Sequence, residues 1–330
     1  MWIKQAASRA ATLCIVGGIF GASGYAYAEY PEKPVTLVVP FVAGGPSDKI
    51  ARDVAESLRK SLGTTVVVEN TAGAGGTIGT ARVARANPDG YTLLIHHIGL
   101  ATAPALYKKL GYKTSDLEFL GLINEAPSTL IGKPDLPPNG LPELRKFITE
   151  NGGKLNLANA GVGSASHLCG LLLQGALKSN MTFVPYKGTA PAMSDIMGGQ
   201  VDLMCEQATN STPQIEARKV KAYGVTGAQR SMVPALASIP TLSEGGLSGF
   251  NFTVWHGLYA PHATPVAVLE KINKALRVAL KDTALVKREE ALGITVVADD
   301  RLSPAGHKKF FNDEVTRWSK VIKDAGIQPE

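Results

Sequence analysis

Four times along this chain an apolar run gives way to a small-residue turn and then to a helix-forming stretch. The turns are Ala43-Gly44-Gly45-Pro46-Ser47-Asp48, Gly73-Ala74-Gly75-Gly76-Thr77, Ile95-His96-His97-Ile98-Gly99 and Gly161-Val162-Gly163-Ser164-Ala165-Ser166-His167. Strands that alternate with helices predict an α/β fold with a parallel sheet covered by helices on both faces. The first strands are continuous apolar runs, as burial on both faces requires. The pattern predicts strands at Val35–Val39, Thr65–Glu69 and Tyr91–Ile95, and then a second set at Leu155–Asn159, Thr182–Pro185, Val201–Cys205 and Ala222–Val225. Between them it predicts helices over Asp48–Leu62, Thr77–Ala86, Ser166–Ala176 and Ala190–Met197, with Ile50, Val54, Leu58 and Leu62 on one face of the first.

At 330 residues the chain is long enough for two units of about 100–200 residues each. Leu122–Ile131, followed by the Pro-rich Lys133–Pro138, reads as a crossing from one unit to the other, and Phe252–Ala260 as the return. The strong helices Pro265–Leu280 and Pro304–Ala325 then fall back on the first unit. The expected organisation is one lobe over 29–130, a second over 131–252, and a return to the first over 253–330.

Residues 1–28 stand apart. Lys4 and Arg9 precede an apolar run over 10–20, and small residues lead to Ala26-Tyr27-Ala28. That is the pattern of a secretory signal peptide, with cleavage expected after Ala28, and the run is shorter than the roughly 20 residues that span a bilayer. Removing it lowers the formal charge from +6 by two, to +4. No basic run of five interleaved with aromatics occurs, so nucleic acid is not an expected partner. No CxxC or HExxH spacing is present and no metal or cofactor is expected. Cys169 and Cys205 either pair in an oxidising compartment or stay as buried thiols.

A turn that opens a helix exposes unpaired N–H groups at a positive dipole end, so it attracts anions. None of the four turns has the Lys-Ser/Thr of a phosphate loop, and Ile78 stands where a dinucleotide turn needs its third glycine. Nucleophilic chemistry fares little better. Ser164 and Ser166 lack the GxSxG context and read equally as helix caps or ligand contacts, and His167 reads as a packing or capping residue. Asp48 is either a cap or a ligand contact, and a ligand carboxylate would be repelled by it unless water intervenes. Phe41 is a cleft wall or a core residue. His96 and His97 are expected to point to opposite faces, His97 toward the cleft.

The stretches VVPFVAGGPSDKIAR, VVVENTAGAGGTIGTARVARANPDGYTLL, GVGSASHL, FVPYKGTAPAMSDIMGGQVDLM and SIPTLSEGGL closely resemble the substrate-binding proteins of tripartite tricarboxylate transporters, the Bug-type extracytoplasmic receptors, from about Tyr30 to the C-terminus. The resemblance implies a type II periplasmic-binding-protein fold of two α/β lobes joined by two crossing strands. It implies capture of a small carboxylate in the cleft and delivery to membrane permease subunits, without catalysis. One carboxylate would be held through the first two glycine loops, here Phe41, Ala43, Gly44, Gly45, Ser47 and Asp48 with Ala74, Gly75 and Thr77. The far lobe would contribute Ser164 and Ser166 and, after the Val201–Cys205 strand, Glu206. His97 lies where the family varies and is expected to tune specificity. The expected ligand is an aromatic carboxylate or a dicarboxylate, such as protocatechuate or the aromatic dicarboxylate terephthalate, a citrate-like acid or an acidic amino acid, bound by a periplasmic monomer. Two alternatives stand beside this reading: a receptor docking on a membrane sensor, and a secreted serine hydrolase using Ser164 or Ser166.

Overall fold

The computed structural model describes residues 30–329, so the expected signal peptide and its cleavage after Ala28 lie outside the described residues. In chain order, β1 (Val35–Val39), α1 (Pro46–Leu62), β2 (Val66–Asn70), α2 (Thr77–Ala84), β3 (Thr92–His97) and α3 (Gly99–Leu106) form the first set. The long strand β4 (Leu117–Gly132) leads to α4 (Leu141–Asn151), β5 (Asn156–Asn159), α5 (Ala165–Leu177), β6 (Thr182–Pro185), α6 (Thr189–Met197), β7 (Leu203–Gln207), α7 (Ala208–Glu216) and β8 (Lys221–Val225). The chain returns through β9 (Thr253–Pro261) to α8 (Val266–Ala279), α9 (Thr283–Ala291), β10 (Thr295–Val296) and α10 (Pro304–Asp324).

The spacing of apolar residues fixes α1 as anticipated: Ile50, Val54 and Leu58 are fully buried and Leu62 nearly so. Gly63, at φ 70°, closes the helix in the left-handed conformation that glycine adopts without strain. The strands run in the order β2-β1-β3-β9-β4-β7-β5-β6, with β10 and β8 also paired to β4. The sheet is mixed, where the sequence pattern predicted a parallel one. β1 pairs in parallel with β2 and β3, and β5 with β6 and β7, but β9 lies antiparallel between β3 and β4.

β4 carries the chain from one half of the sheet to the other. Its residues up to Pro127 pair with β9, and those from Ser128 pair with β7 and β8. The return is at the same level, where Thr253 faces Pro127. Thr226 ties the two crossings together: its Oγ1 accepts from the Ser128 amide and donates to the Phe252 carbonyl, both at 2.7 Å. α10 seals the near half, where Glu314 Oε2 accepts from the indoles of Trp255 and Trp318 at 3.0 and 3.2 Å. The far half has its own apolar core of Ile131, Ala158, Ala192, Ile196, Val201 and Met204.

Candidate ligand-binding site

The turns after β1, β5, β6 and β7 meet across the gap between the halves. A narrow cleft, whose unfilled space is about 410 Å³ only when the open solvent at its mouth is included, is lined there by Phe41, Val42 and Gly45–Ser47 from the near half and by Ala160, Ser164–Ser166, Thr189, Glu206 and Gln207 from the far half, with His97 beside Phe41. The first residues of α1, α5 and α6, and Gln207 immediately before α7, lie on this wall, and no side chain caps α1, α6 or α7. Four helix N-termini therefore converge on one space, with no Lys or Arg in the lining. The field there is positive because each terminus carries roughly half an elementary charge on its unpaired N–H groups.

Of the residues anticipated from sequence, Phe41, Gly45, Ser47, His97, Ser164, Ser166 and Glu206 line this cavity. Ala74 and Gly75 line a neighbouring one, which shares Phe41 and Ala160 with the first. Ala43, Gly44, Asp48 and Thr77 line neither. Asp48 is turned inward and filled: Gly44 N donates to Oδ2 at 2.9 Å, Arg52 Nε and Nη2 donate at 3.1 and 3.0 Å, and Asn70 Nδ2 donates to Oδ1 at 3.0 Å. Burial opposes its ionisation, but these bonds outweigh burial and hold the carboxyl below its usual range. The Gly44 amide thus serves the loop itself, and the outward-facing donors of α1 begin at Ser47.

The two histidines lie at the end of β3 and not in a turn, and their rings do not diverge. The chain enters α3 at Ile98 with helical torsions, which brings the His97 ring within 5.0 Å of His96. Phe41 stacks on His97 at 4.5 Å and meets His96 edge-on at 5.5 Å. His97 Nδ1 accepts from Gly99 N at 2.8 Å, and burial lowers the ring's pKa to about 3, so it is neutral with its proton on Nε2.

Glu206 sits within β7, where the sequence pattern placed it in a turn, and it is 2% exposed. Its Oε1 has no hydrogen-bond partner. Burial pushes its pKa up to about 8, against a hydrogen bond from Asn210 and the charge of Lys49. It is a neutral acid at pH 7 and can donate to an anion. The serines of α5 are engaged with each other and with backbone. Ser164 Oγ accepts from His167 N at 3.2 Å and lies 3.1 Å from Ser166 Oγ, which accepts from Ala160 N at 2.9 Å. His167 Nδ1 accepts from Gly163 N at 3.3 Å, its ring packs on Phe183, and burial lowers its pKa to about 4, so it activates neither serine.

Contacts across the gap hold the halves together. Tyr107 Oη donates to the Val162 carbonyl at 2.7 Å, and Lys49 Nζ donates to Asn210 Oδ1 at 3.2 Å. Gly75, at φ 60°, lies so close to that same carbonyl that a Cβ there would collide with it. Behind the cavity, α5 and β7 are joined by a Cys169–Cys205 disulfide, with Cα atoms 6.0 Å apart. Among the described residues no group of three His, Cys, Asp or Glu could hold a metal ion, and no helix is long and apolar enough to cross a membrane.

Thr189 and Gln207 were not anticipated. Thr189 had a local signal, because Pro185-Tyr186-Lys187-Gly188-Thr189 is a further strand–glycine–helix turn. His256, which lies against Ser47, Asn124 and Glu289 behind it, and Asn210, which bonds Lys49, had none, since each reaches the site through partners distant in sequence.

Two α/β halves joined by two crossing strands around a ligand cleft define a periplasmic-binding-protein fold. Residues 50–327 match the tripartite tricarboxylate transporter family receptor, and the chain belongs to that family of periplasmic solute receptors, which are not enzymes. It is 46% identical over 325 residues, 98% of this chain and 93% of the other, to the UPF0065 protein of the TAR-I ttuE–ttuC' intergenic region of Agrobacterium vitis. Among solved structures it is similar to the periplasmic binding protein BugD at 49% identity and a TM-score of 0.88, covering 91% of this chain and all of that one. It is similar also to MatC of Rhodopseudomonas palustris with bound malate, at 38% identity and a TM-score of 0.84, covering 89% of this chain and 100% of that one.

Proposed function

We propose that this protein captures a small aliphatic dicarboxylate in the cavity between its halves and delivers it to the membrane subunits of a tripartite tricarboxylate transporter. The observation that carries this is the convergence of four helix N-termini on one cavity that lacks Lys and Arg. Backbone donors hold one carboxylate, and neutral Glu206 donates to the other. An aliphatic ligand is favoured over terephthalate or protocatechuate because one face of Phe41 is already covered by His97. The malate in the related MatC supports the same choice.

In this reading the halves are lobes, with boundaries near 130/131 and 252/253, and they close about the crossings tied by Thr226. Ligand shifts the population to the closed form because it touches both walls only there. The receptor is exported, is cut after Ala28 and works as a periplasmic monomer.

The test is a thermal-shift and calorimetry screen of the exported chain against malate, succinate, adipate, citrate, terephthalate, nucleotides and divalent metals. An aliphatic dicarboxylate at 100 times its Kd should stabilise the fold by about 2.7 kcal/mol. Stabilisation by nucleotides or metals alone would overturn the reading.

A further inference from the structure

A buried polar chain leaves the cavity on the near side. Ser47 Oγ lies 3.1 Å from His256 Nε2, His256 Nδ1 lies 3.0 Å from Asn124 Oδ1, and Asn124 Nδ2 donates to Glu289 Oε2 at 2.7 Å. Asn124 and His256 are fully buried, Glu289 is 2% exposed and Ser47 5%. The direction of the protons along this chain follows from its far end. Burial pushes the Glu289 pKa up to about 7, and above that pH its carboxylate oxygen accepts the Asn124 amide N–H, whereas the opposite orientation would set the amide oxygen against the carboxylate. Asn124 therefore turns Oδ1 to His256, and an amide oxygen only accepts. Burial, and then the neighbouring His97, keep His256 neutral with a single ring proton, which must sit on Nδ1. Nε2 is then bare and accepts the Ser47 hydroxyl proton. What Ser47 shows to the cavity is its lone pairs.

This order of groups is that of a Ser–His–acid triad, but here the group beside the histidine is an amide and the carboxylate stands one step further away. An imidazolium formed at His256 would be buried without an adjacent anion, so the relay sets the direction of a hydrogen bond and does not activate the serine. Around Ser47 the helix termini and His97 present donors, which suit carboxylates. A fixed acceptor among them suits something else on the ligand.

Building on the carboxylate reading of this cavity, we propose that the ligand is a dicarboxylate carrying an O–H or N–H donor beside a carboxylate, a hydroxy- or amino-dicarboxylate, and that Ser47 reads this donor because the His256–Asn124–Glu289 relay holds its own proton inward. His256 and Asn124 are positioning residues and Ser47 determines specificity.

The test compares malate (hydroxyl), aspartate (ammonium), succinate and adipate (neither) by calorimetry on wild type and Ser47→Ala, with melting curves to check that the variant is folded. The expected result is a preference of about tenfold or more for malate or aspartate over succinate, the size of one buried hydrogen bond, and in Ser47→Ala the ratio of the two affinities falls to near one. The malate and aspartate arms separate a hydroxyl reader from an ammonium reader. A long-range proton–nitrogen correlation on His256 supplies a signature independent of ligand, with Nδ1 protonated and Nε2 bare. Equal affinity for succinate, an unchanged preference in Ser47→Ala, or a proton on Nε2 overturns the inference while the carboxylate receptor stands. Failure of all four acids to bind overturns both.

Discussion

Replacing Glu206 by Gln should make the protein more stable at alkaline pH and leave it unchanged at acid pH. The cause is the burial of an acid whose Oε1 has no partner. In the unfolded chain the group ionises near its ordinary value of 4.5, and in the folded protein burial moves this to about 8. The folded state therefore holds the proton more tightly. Its contribution to stability is whole below pH 4.5, declines as the pH rises above that value, and is lost by the time it passes 8. The gap between the two values corresponds to roughly 5 kcal/mol, a large part of the 5–15 kcal/mol that holds a typical domain together. A glutamine carries no charge at any of these pH values, so Glu206→Gln escapes the loss.

The same titration acts on the ligand. Neutral Glu206 donates to a carboxylate and ionised Glu206 repels one, so wild-type affinity should fall about tenfold for each pH unit above 8. In Glu206→Gln the profile should be flat, because the amide still donates. Urea unfolding at pH 5, 7 and 9 gives the first quantity, and calorimetry with the ligand over pH 6–9.5 gives the second. Stability curves of wild type and variant that run parallel from pH 5 to 9 would refute the argument, because they would show that Glu206 is ionised throughout.

Gly75→Ala should hold the halves apart, since its Cβ meets the Val162 carbonyl and the backbone is at φ 60°. Calorimetry should show binding weakened by tenfold or more, against a cost of only about 1 kcal/mol in unfolding without ligand. Tyr107→Phe removes the hydrogen bond to that carbonyl and should weaken ligand binding about fivefold, with a larger radius of gyration by X-ray scattering. Replacing both Cys169 and Cys205 by Ala opens a loop spanning 36 residues in sequence and should cost about 3–4 kcal/mol in denaturant unfolding, which reduction of the wild type should reproduce.

What could be read in advance was what depends on neighbours in sequence. The periodicity of Ile50, Val54, Leu58 and Leu62 specifies α1, and the continuous run Val35–Val39 specifies a buried strand, because both patterns lie within one element. The strand–glycine–helix turns located most of the cavity wall for the same reason. α3 was not legible, because Gly99 and Pro104 disguise a helix whose residues are nearly all buried. Nor was the antiparallel insertion of β9 between β3 and β4, which brings His256 beside Ser47, 209 residues away in sequence. Asn124 and Glu289, 165 residues apart, likewise meet only through the fold.

The charge of the site was the hardest property to read, and it decides the ligand. By composition the near loop and the far strand offer two acids, Asp48 and Glu206, and no base, which would suit a cation. The fold silences both acids by opposite means. Asp48 stays ionised but is filled by Arg52, Asn70 and the Gly44 amide, so its charge is matched behind the loop and not in the cavity. Glu206 is pushed toward the neutral form by burial, which outweighs the hydrogen bonds from Asn210 and the Gln207 backbone and the charge of Lys49. With one acid matched and the other protonated, the unpaired N–H groups of four helix termini set the sign of the cavity. An anion site built in this way needs no basic side chain, and it carries a pH limit that a guanidinium clamp would not have, because the affinity survives only while Glu206 keeps its proton.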